Sequence, residues 1–224
     1  MNELVFFDID GTLINGQTQK MLAIFLFKKG YIKPFKLLGI LFWFLLYRFG
    51  LVGSGKNIAT DAYRLLEKME VSKFERMMVD LFKTEINSRI FEDAIKEIEV
   101  HRLNGRKIVL VSNTIYPIAM IISQNLSIPT EPIATVLETS NGCYTGRIIG
   151  KLNRGEEKVR RVNAAAVNNN WNMENCYAYG DHYSDLPILQ MAKNPRAVNP
   201  DRILKRTAIL NGWPIECWTK TSIK

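Results

Sequence analysis

The stretch Leu4-Val5-Phe6-Phe7-Asp8-Ile9-Asp10-Gly11-Thr12-Leu13-Ile14 decides how the rest of the chain is read. Leu4 to Phe7 is apolar, rich in strand formers and too short for a helix, and it runs straight into two carboxylates followed by Gly and Thr. The pattern predicts a buried strand that ends at a site. Residues two apart on a strand share a face, so Asp8 and Asp10 lean into one pocket where the strand stops. Their repulsion in a low dielectric calls for a divalent cation. Gly11 lets the backbone turn away without a Cβ penalty, which leaves Thr12 and nearby amides to face an anion.

The 224 residues, 47% hydrophobic and 23% charged, suit one domain or one domain with an insertion and exclude a disordered chain. Cys143, Cys176 and Cys217 are odd in number and lack C-x-x-C spacing, so neither a disulfide framework nor a zinc knuckle is expected, and a reducing cytoplasm fits. His101 and His182 are the only histidines, which argues against a histidine-rich metal site or a histidine-relay hydrolase. Carboxylates must carry the chemistry. The apolar run at the start breaks at Asp8, so no signal peptide is expected.

The net charge of +8 is local. Between Gly11 and Thr60 there is no Asp or Glu, while Lys20, Lys28, Lys29, Lys33, Lys36, Arg48 and Lys56 supply seven positive charges. Leu37 to Tyr47 is an apolar run too short to span a bilayer, which needs about 20 residues. It reads as a buried helix, a partner-binding helix or one lying in a membrane interface. Its aromatic residues sit in solid apolar runs and do not alternate with basic ones, which speaks against a nucleic-acid groove.

Along the remaining chain, Gly50, Gly53, Ser54 and Gly55 predict a flexible break. Ile58 to Glu70 and Ser72 to Asn87 predict amphipathic helices, the second with Phe74, Met77, Met78, Leu81 and Phe82 at helical spacing as core. Helices follow over Glu92 to Leu103, Ile115 to Leu126, Gly155 to Asn168 and from about Pro200 to Ala208. Strands are predicted at Lys107 to Val111, Pro132 to Leu137, Cys176 to Tyr179 and Ala197-Val198, with a hairpin turn at Asn141-Gly142. Strands alternating with helices imply an α/β fold with a parallel sheet covered on both faces, and a ligand beyond the carboxyl ends of its strands. Asp8, Ser112 and Asp181 all fall at such ends.

The first stretch resembles motif I, D-x-D-G-T-[LI], of the haloacid-dehalogenase-like (HAD) phosphatases. Ser112, directly after Lys107-Ile-Val-Leu-Val111, resembles motif II. Lys158 in Gly155-Glu156-Glu157-Lys158 resembles the G-x-x-K form of motif III, and Gly180-Asp181-His182-Tyr183-Ser184-Asp185-Leu186-Pro187 resembles the G-D-x-x-S-D-L-P form of motif IV. Asn199-Pro200-Asp201 and Gly212-Trp213-Pro214-Ile215 extend the likeness to subfamily IB, which includes phosphoserine phosphatases and phosphatidylglycerophosphate phosphatase.

The resemblance implies a Rossmann-like core over residues 1–14 and 87–224, with a helical cap over 15–86 inserted after the first strand. It implies Asp8 as the nucleophile that forms an aspartyl-phosphate, and Asp10 as acid and then base. Gly11, Thr12, Ser112, the Asn113 amide and Lys158 would hold the phosphoryl group. Mg²⁺ would be held by Asp8, the Asp10 carbonyl and Asp181, with Asp185 orienting Lys158 or a water on the metal. His182 stands where the family usually has a small residue, and could touch substrate.

In phosphoserine phosphatases a glutamate seven positions beyond the second aspartate receives the substrate ammonium, and this chain has Gln17 there. L-Phosphoserine is therefore disfavoured. The basic, aromatic insertion suits a small organic or glycerophospholipid phosphomonoester, reached by peripheral contact with an anionic membrane on its inner face. The alternatives are a phosphotransferase using the same site and a non-enzymatic basic membrane-binding module.

Overall fold

Leu4–Phe7 forms strand β1, and all four side chains are buried. They divide between two cores with the period of two that a pleat imposes. Val5 and Phe7 point to one face of the sheet with Ile108 and Leu110, whereas Leu4 and Phe6 point to the other with Val109 and Val111. The computed structural model describes residues 3–48 and 63–219. The predicted break at Gly50 to Gly55, Lys56 and the first five residues of the predicted helix from Ile58 lie outside them.

The other strands are β2 (Lys107–Ile115), β3 (Ile133–Thr135), β4 (Leu137–Ser140), β5 (Cys143–Ile148), β6 (Tyr177–Gly180), β7 (Asn194–Val198) and β8 (Ile215–Glu216). Six of them form a parallel sheet in the order β3-β2-β1-β6-β7-β8. The order reverses direction between β1 and β6, and a crevice opens at such a point beyond the carboxyl ends of the strands. Asp8 and Asp181 follow those two strands directly.

The helices are α1 (Thr18–Lys28), α2 (Pro34–Arg48), α3 (Val71–Leu81), α4 (Glu92–Leu103), α5 (Tyr116–Asn125), α6 (Glu156–Asn168), α7 (Leu186–Met191) and α8 (Arg202–Asn211). Ala94, Ile98, Ile118 and Ile122 of α4 and α5 cover one face of the sheet. Val162, Ile188, Leu189, Leu204 and Ala208 of α6 to α8 cover the other. The sheet is thus an α/β sandwich centre, as its unbroken apolar strands require.

Leu22, Phe25 and Leu26 of α1 and Phe74, Met78 and Leu81 of α3 join the α4–α5 core without a break. After Leu81 the helix widens into a π turn over Phe82–Ile86 and a 3-10 turn over Asn87–Arg89, where a single helix through Asn87 is expected from sequence. The wider turn keeps both Phe82 and Ile86 in the core. The end of the expected Ile58 to Glu70 helix is also different. Arg64–Leu66 is one 3-10 turn, Lys68 turns the chain at φ +65°, and Met69 and Glu70 run beside the β4–β5 hairpin, Glu70 bridging Cys143. Lys68 N–H donates to the Tyr144 carbonyl at 2.9 Å, Tyr144 N–H to Met69 at 2.9 Å, and Val71 N–H to Gly142 at 3.0 Å. Asn141 and Gly142 both have positive φ, as the tight turn of that hairpin demands.

Two further differences bear on the site. Strand β2 does not stop at Val111 but continues to Ile115, and its pairing with β3 slips between Val111 and Ile115. Four residues of β2 there oppose two of β3, a bulge that re-aims Ser112, Asn113 and Thr114. Strand β8 is absent from the sequence expectation, because two residues are too few to show a period.

Candidate active site

Strand register sets the site out. Phe7 pairs with Leu110 of β2 and with Tyr179 of β6, so Ser112 and Asp181 each stand one residue beyond the level of Asp8, on either side of it. The Asp8 N–H continues the ladder by donating to the Tyr179 carbonyl at 3.0 Å. Gly11 then bends the chain back with φ +83°, and a Cβ there would lie 2.0 Å from Asp181 Oδ2. Only a residue without a side chain lets the first loop approach the Asp181 carboxylate so closely.

Helix α6 begins at Glu156, and its first turn carries Lys158 into the sheet's crevice, where the side chain is almost wholly buried. Its ammonium donates to Asp8 Oδ1 at 2.6 Å and to Asp185 Oδ1 at 2.7 Å. The other oxygen of Asp185 accepts from the His182 N–H at 3.3 Å, which closes the short 182–185 turn. Asp8, Asp181 and Asp185 each present an oxygen within 4.8 Å of the others.

One lysine cannot neutralise three carboxylates. Burial, with Asp185 and Asp10 adding to it, pushes Asp8 up to about 7 against the pull of Lys158. Burial likewise raises Asp181 well above the carboxylate range, reinforced by Asp185, Asp8 and Asp10. Desolvation opposes the Lys158 charge, but Asp185 and Asp8 outweigh it and raise the ammonium's pKa. Such a deficit of positive charge fits a divalent cation among oxygen donors.

Asp10 is held differently. Its Oδ1 accepts from the Thr18 N–H at 2.7 Å and its Oδ2 from the Thr18 hydroxyl at 3.1 Å, at the first residue of α1. Thr18 Oγ1 is itself 2.7 Å from Thr114 Oγ1 on the β2 bulge. Burial pushes Asp10 up to about 6 although both contacts with Thr18 favour its charge.

Among the residues expected to meet a phosphate, Thr12 Oγ1 and Asn113 Oδ1 are buried without a hydrogen-bond partner, as groups awaiting a polar ligand are. The Ser112 hydroxyl is buried and accepts from the Thr114 N–H at 3.3 Å. Gln17 is half-buried at the start of α1, beside the Thr18 that grips Asp10. His182 is half-buried, and its Nδ1 meets the Ser184 N–H and hydroxyl at 3.2 and 2.9 Å. Burial lowers its pKa, against the pull of Asp201.

Four residues at the site have no signal in the sequence. Asn153 is fully buried, and its amide donates to the Ser112 and Ile133 carbonyls at 2.9 and 2.7 Å, fixing the bulge. Thr18 holds Asp10, and Thr114 meets the Thr18 hydroxyl. Gln19 donates to the Asn113 carbonyl at 3.3 Å and to Tyr63 Oη at 3.4 Å, tying the insertion to β2.

The comparisons with known proteins agree with this geometry. The profile of the haloacid dehalogenase-like hydrolases matches residues 5–190. The chain is 28% identical over 215 residues to the phosphoserine phosphatase SerB1 of Mycobacterium tuberculosis, covering 94% of this chain and 69% of that one. It is 28% identical over 224 residues to a histidinol-phosphatase of Neisseria meningitidis serogroup C, covering 96% and 98%. A crystal structure of a protein of unknown function from Bordetella pertussis Tohama I superposes with a TM-score of 0.88 at 25% identity, over 96% of this chain and 98% of that one. A phosphoserine phosphatase solved as a phospho-aspartyl intermediate analogue shares the fold, with a TM-score of 0.69 at 19% identity over 98% and 94%.

Proposed function

The chain belongs to the haloacid dehalogenase-like hydrolase family and is a phosphatase, and on that premise we propose that it hydrolyses a phosphomonoester through Asp8 with Mg²⁺ as cofactor. One observation carries the reading: a single buried ammonium, Lys158, bridges Asp8 and Asp185 inside a carboxylate cluster too negative for it alone. We assign residues 15–86 as the cap over this site and residues 1–14 and 87–224 as its core.

In the proposed reaction an Asp8 carboxylate oxygen attacks phosphorus in line. The Asp8–phosphorus bond forms as the ester bond breaks, and Asp10 gives its proton to the leaving alkoxide. Water then attacks phosphorus, Asp10 takes a proton from it, and Asp8 leaves with its carboxylate restored. Raised to about 6 and clamped by Thr18, Asp10 is suited to both directions of transfer. Thr12, Ser112, Asn113 and Lys158 orient the phosphoryl oxygens and offset their charge. Mg²⁺ would be held by Asp8, Asp181 and the Asp10 carbonyl, with Asp185 in reach, and would supply the remaining positive charge.

For the substrate we propose a small organic or glycerophospholipid phosphomonoester, and a cytoplasmic site of action at the inner membrane face. The neutral Gln17 at the α1 start offers no countercharge to an ammonium, which disfavours L-phosphoserine although one relative bears that name. No helix among the described residues is long and apolar enough to cross a membrane. The test is a screen of soluble phosphomonoesters beside lysophosphatidate and phosphatidylglycerophosphate, with Mg²⁺ and EDTA arms and an Asp8→Asn control. Mg²⁺-dependent phosphate release lost in Asp8→Asn is the expected result. Turnover indifferent to EDTA or to Asp8→Asn overturns the mechanism, and transfer to an added alcohol replaces hydrolysis by phosphotransfer.

A further inference from the structure

Apart from Lys36, the side chains of α2 from Pro34 to Phe42 are apolar or absent all round the helix, and the described protein covers one side of them. A helix of that composition belongs in an interior. Leu37 and Ile40 pack against the core cluster, whereas Phe35, Leu38 and Phe42 face outward at 73%, 70% and 57% exposure. Spacings of three and four residues place those three in one ridge, and Tyr31, 40% exposed, precedes it by a further four. Lys33, just before α2, and Lys36, in its first turn, stand near the N-terminal end of the ridge, both exposed, and neither has an acidic partner among the described residues. Lys36 lies about 100° around the helix from Phe35, at the boundary between the ridge and the buried side.

We propose that this ridge is the surface by which the protein seats on an anionic lipid bilayer, with Phe35, Leu38 and Phe42 in the headgroup boundary and Lys33 and Lys36 among the phosphates. The inference deepens the membrane part of the reading above and is independent of the hydrolytic chemistry. Charge selects the occupant. Fifteen residues of helix reach about 22 Å, short of a hydrocarbon core of about 30 Å, so α2 lies along the surface and does not cross it. A second copy of the chain would cover the same apolar area, but with no Asp or Glu between Gly11 and Thr60 a pairing of two such ridges would offer Lys33 and Lys36 no carboxylate. An anionic headgroup layer instead gives both lysines a partner while the ridge leaves water.

The experiment is sedimentation with vesicles of phosphatidylglycerol and phosphatidylcholine, against vesicles of phosphatidylcholine alone, at low and high salt. Wild type is expected to pellet with the anionic vesicles at low salt only. Phe35→Asp/Leu38→Asp/Phe42→Asp is expected to weaken binding more than tenfold, and Lys33→Gln and Lys36→Gln about fivefold each. Hydrolysis of soluble p-nitrophenyl phosphate by all variants at the wild-type rate shows that they are folded. Pelleting without such hydrolysis in wild type would refute the catalytic reading and leave this one standing. Where the triple variant fails to fold by circular dichroism, the lysine variants carry the test. Wild type remaining in the supernatant, variants pelleting as well as wild type, or a lipid-free dimer dissolved by the triple variant would each overturn the proposal.

Discussion

The ammonium of Lys158 lies 2.6 Å from Asp8 Oδ1, and the two residues are 150 positions apart in the chain. Both are buried, and the same ammonium meets Asp185 at 2.7 Å. A buried charge pair is costly to assemble and more costly to break, because the partner left behind has neither water nor a counterion. The pair therefore sets both the charge of the proposed nucleophile and the position of helix α6.

Lys158→Met is expected to lower kcat by about 10²–10³, as losing a transition-state charge does. In EDTA it should also destabilise the fold by about 3 kcal/mol, since Asp8 and Asp185 lose their buried cation. Lys158→Arg should rescue little, because a planar guanidinium does not fit a slot filled by a single ammonium. Steady-state rates and thermal melts with and without Mg²⁺ measure both effects.

Acidification is expected to stabilise the metal-free protein between pH 8 and 6.5. Asp8 is pushed up to about 7 in the folded state, whereas the unfolded chain titrates at its ordinary value of 3.8. The folded state then binds the extra proton, so stability rises as pH falls through 7, by about 1 kcal/mol over this window. Mg²⁺ needs the ionised carboxylates and displaces those protons, so its stabilising effect should be largest at pH 8. His101, pushed down to about 4 mainly by burial, acts in the opposite sense, and because the unfolded imidazole is half protonated near pH 6.5 it offsets part of that gain at the acid end of the window. A melting temperature in EDTA that climbs with pH across this range contradicts the assignment.

Gly11→Ala should cost more in metal affinity than in fold. The new Cβ would sit 2.0 Å from Asp181 Oδ2 at a backbone φ of +83°, so the carboxylate must move. We expect the Mg²⁺ concentration for half-maximal activity to rise and kcat/KM to drop about 10²-fold, with stability down by about 1–2 kcal/mol. An unchanged Mg²⁺ titration would remove Asp181 from the metal site.

Gln17→Glu is expected to raise kcat/KM for L-phosphoserine about tenfold while leaving a phosphomonoester without an ammonium unimproved. One charge-assisted contact of about 1.5 kcal/mol accounts for that factor. Equal changes for both substrates would show that Gln17 does not face the leaving group.

Much of the fold was legible because its strands are short, wholly apolar and separated by helices with clear stops. Glu92–Leu103 begins and ends where its acidic start and Asn104-Gly105 stop predict. The insertion was harder to read. Met69 and Glu70 look helical in sequence, yet they run beside the hairpin because the free edge of β5 offers hydrogen bonds from a distant part of the chain. In the β2 bulge, Ser112 was visible as the residue after an apolar run, but Asn153, which fixes it from 41 positions away, was not.

The sequence by itself determined that apolar strands lead into Asp8 and Asp181, since alternation, turn residues and helix stops follow from sterics between near neighbours. Only the tertiary structure decided that Lys158 pairs with Asp8 and Asp185, that Thr18, itself met by Thr114, holds Asp10, and that Phe35, Leu38 and Phe42 of α2 are left to solvent. Those relations depend on sheet register and on how helices seat across it, and a shift of one residue in either would send each of these side chains elsewhere.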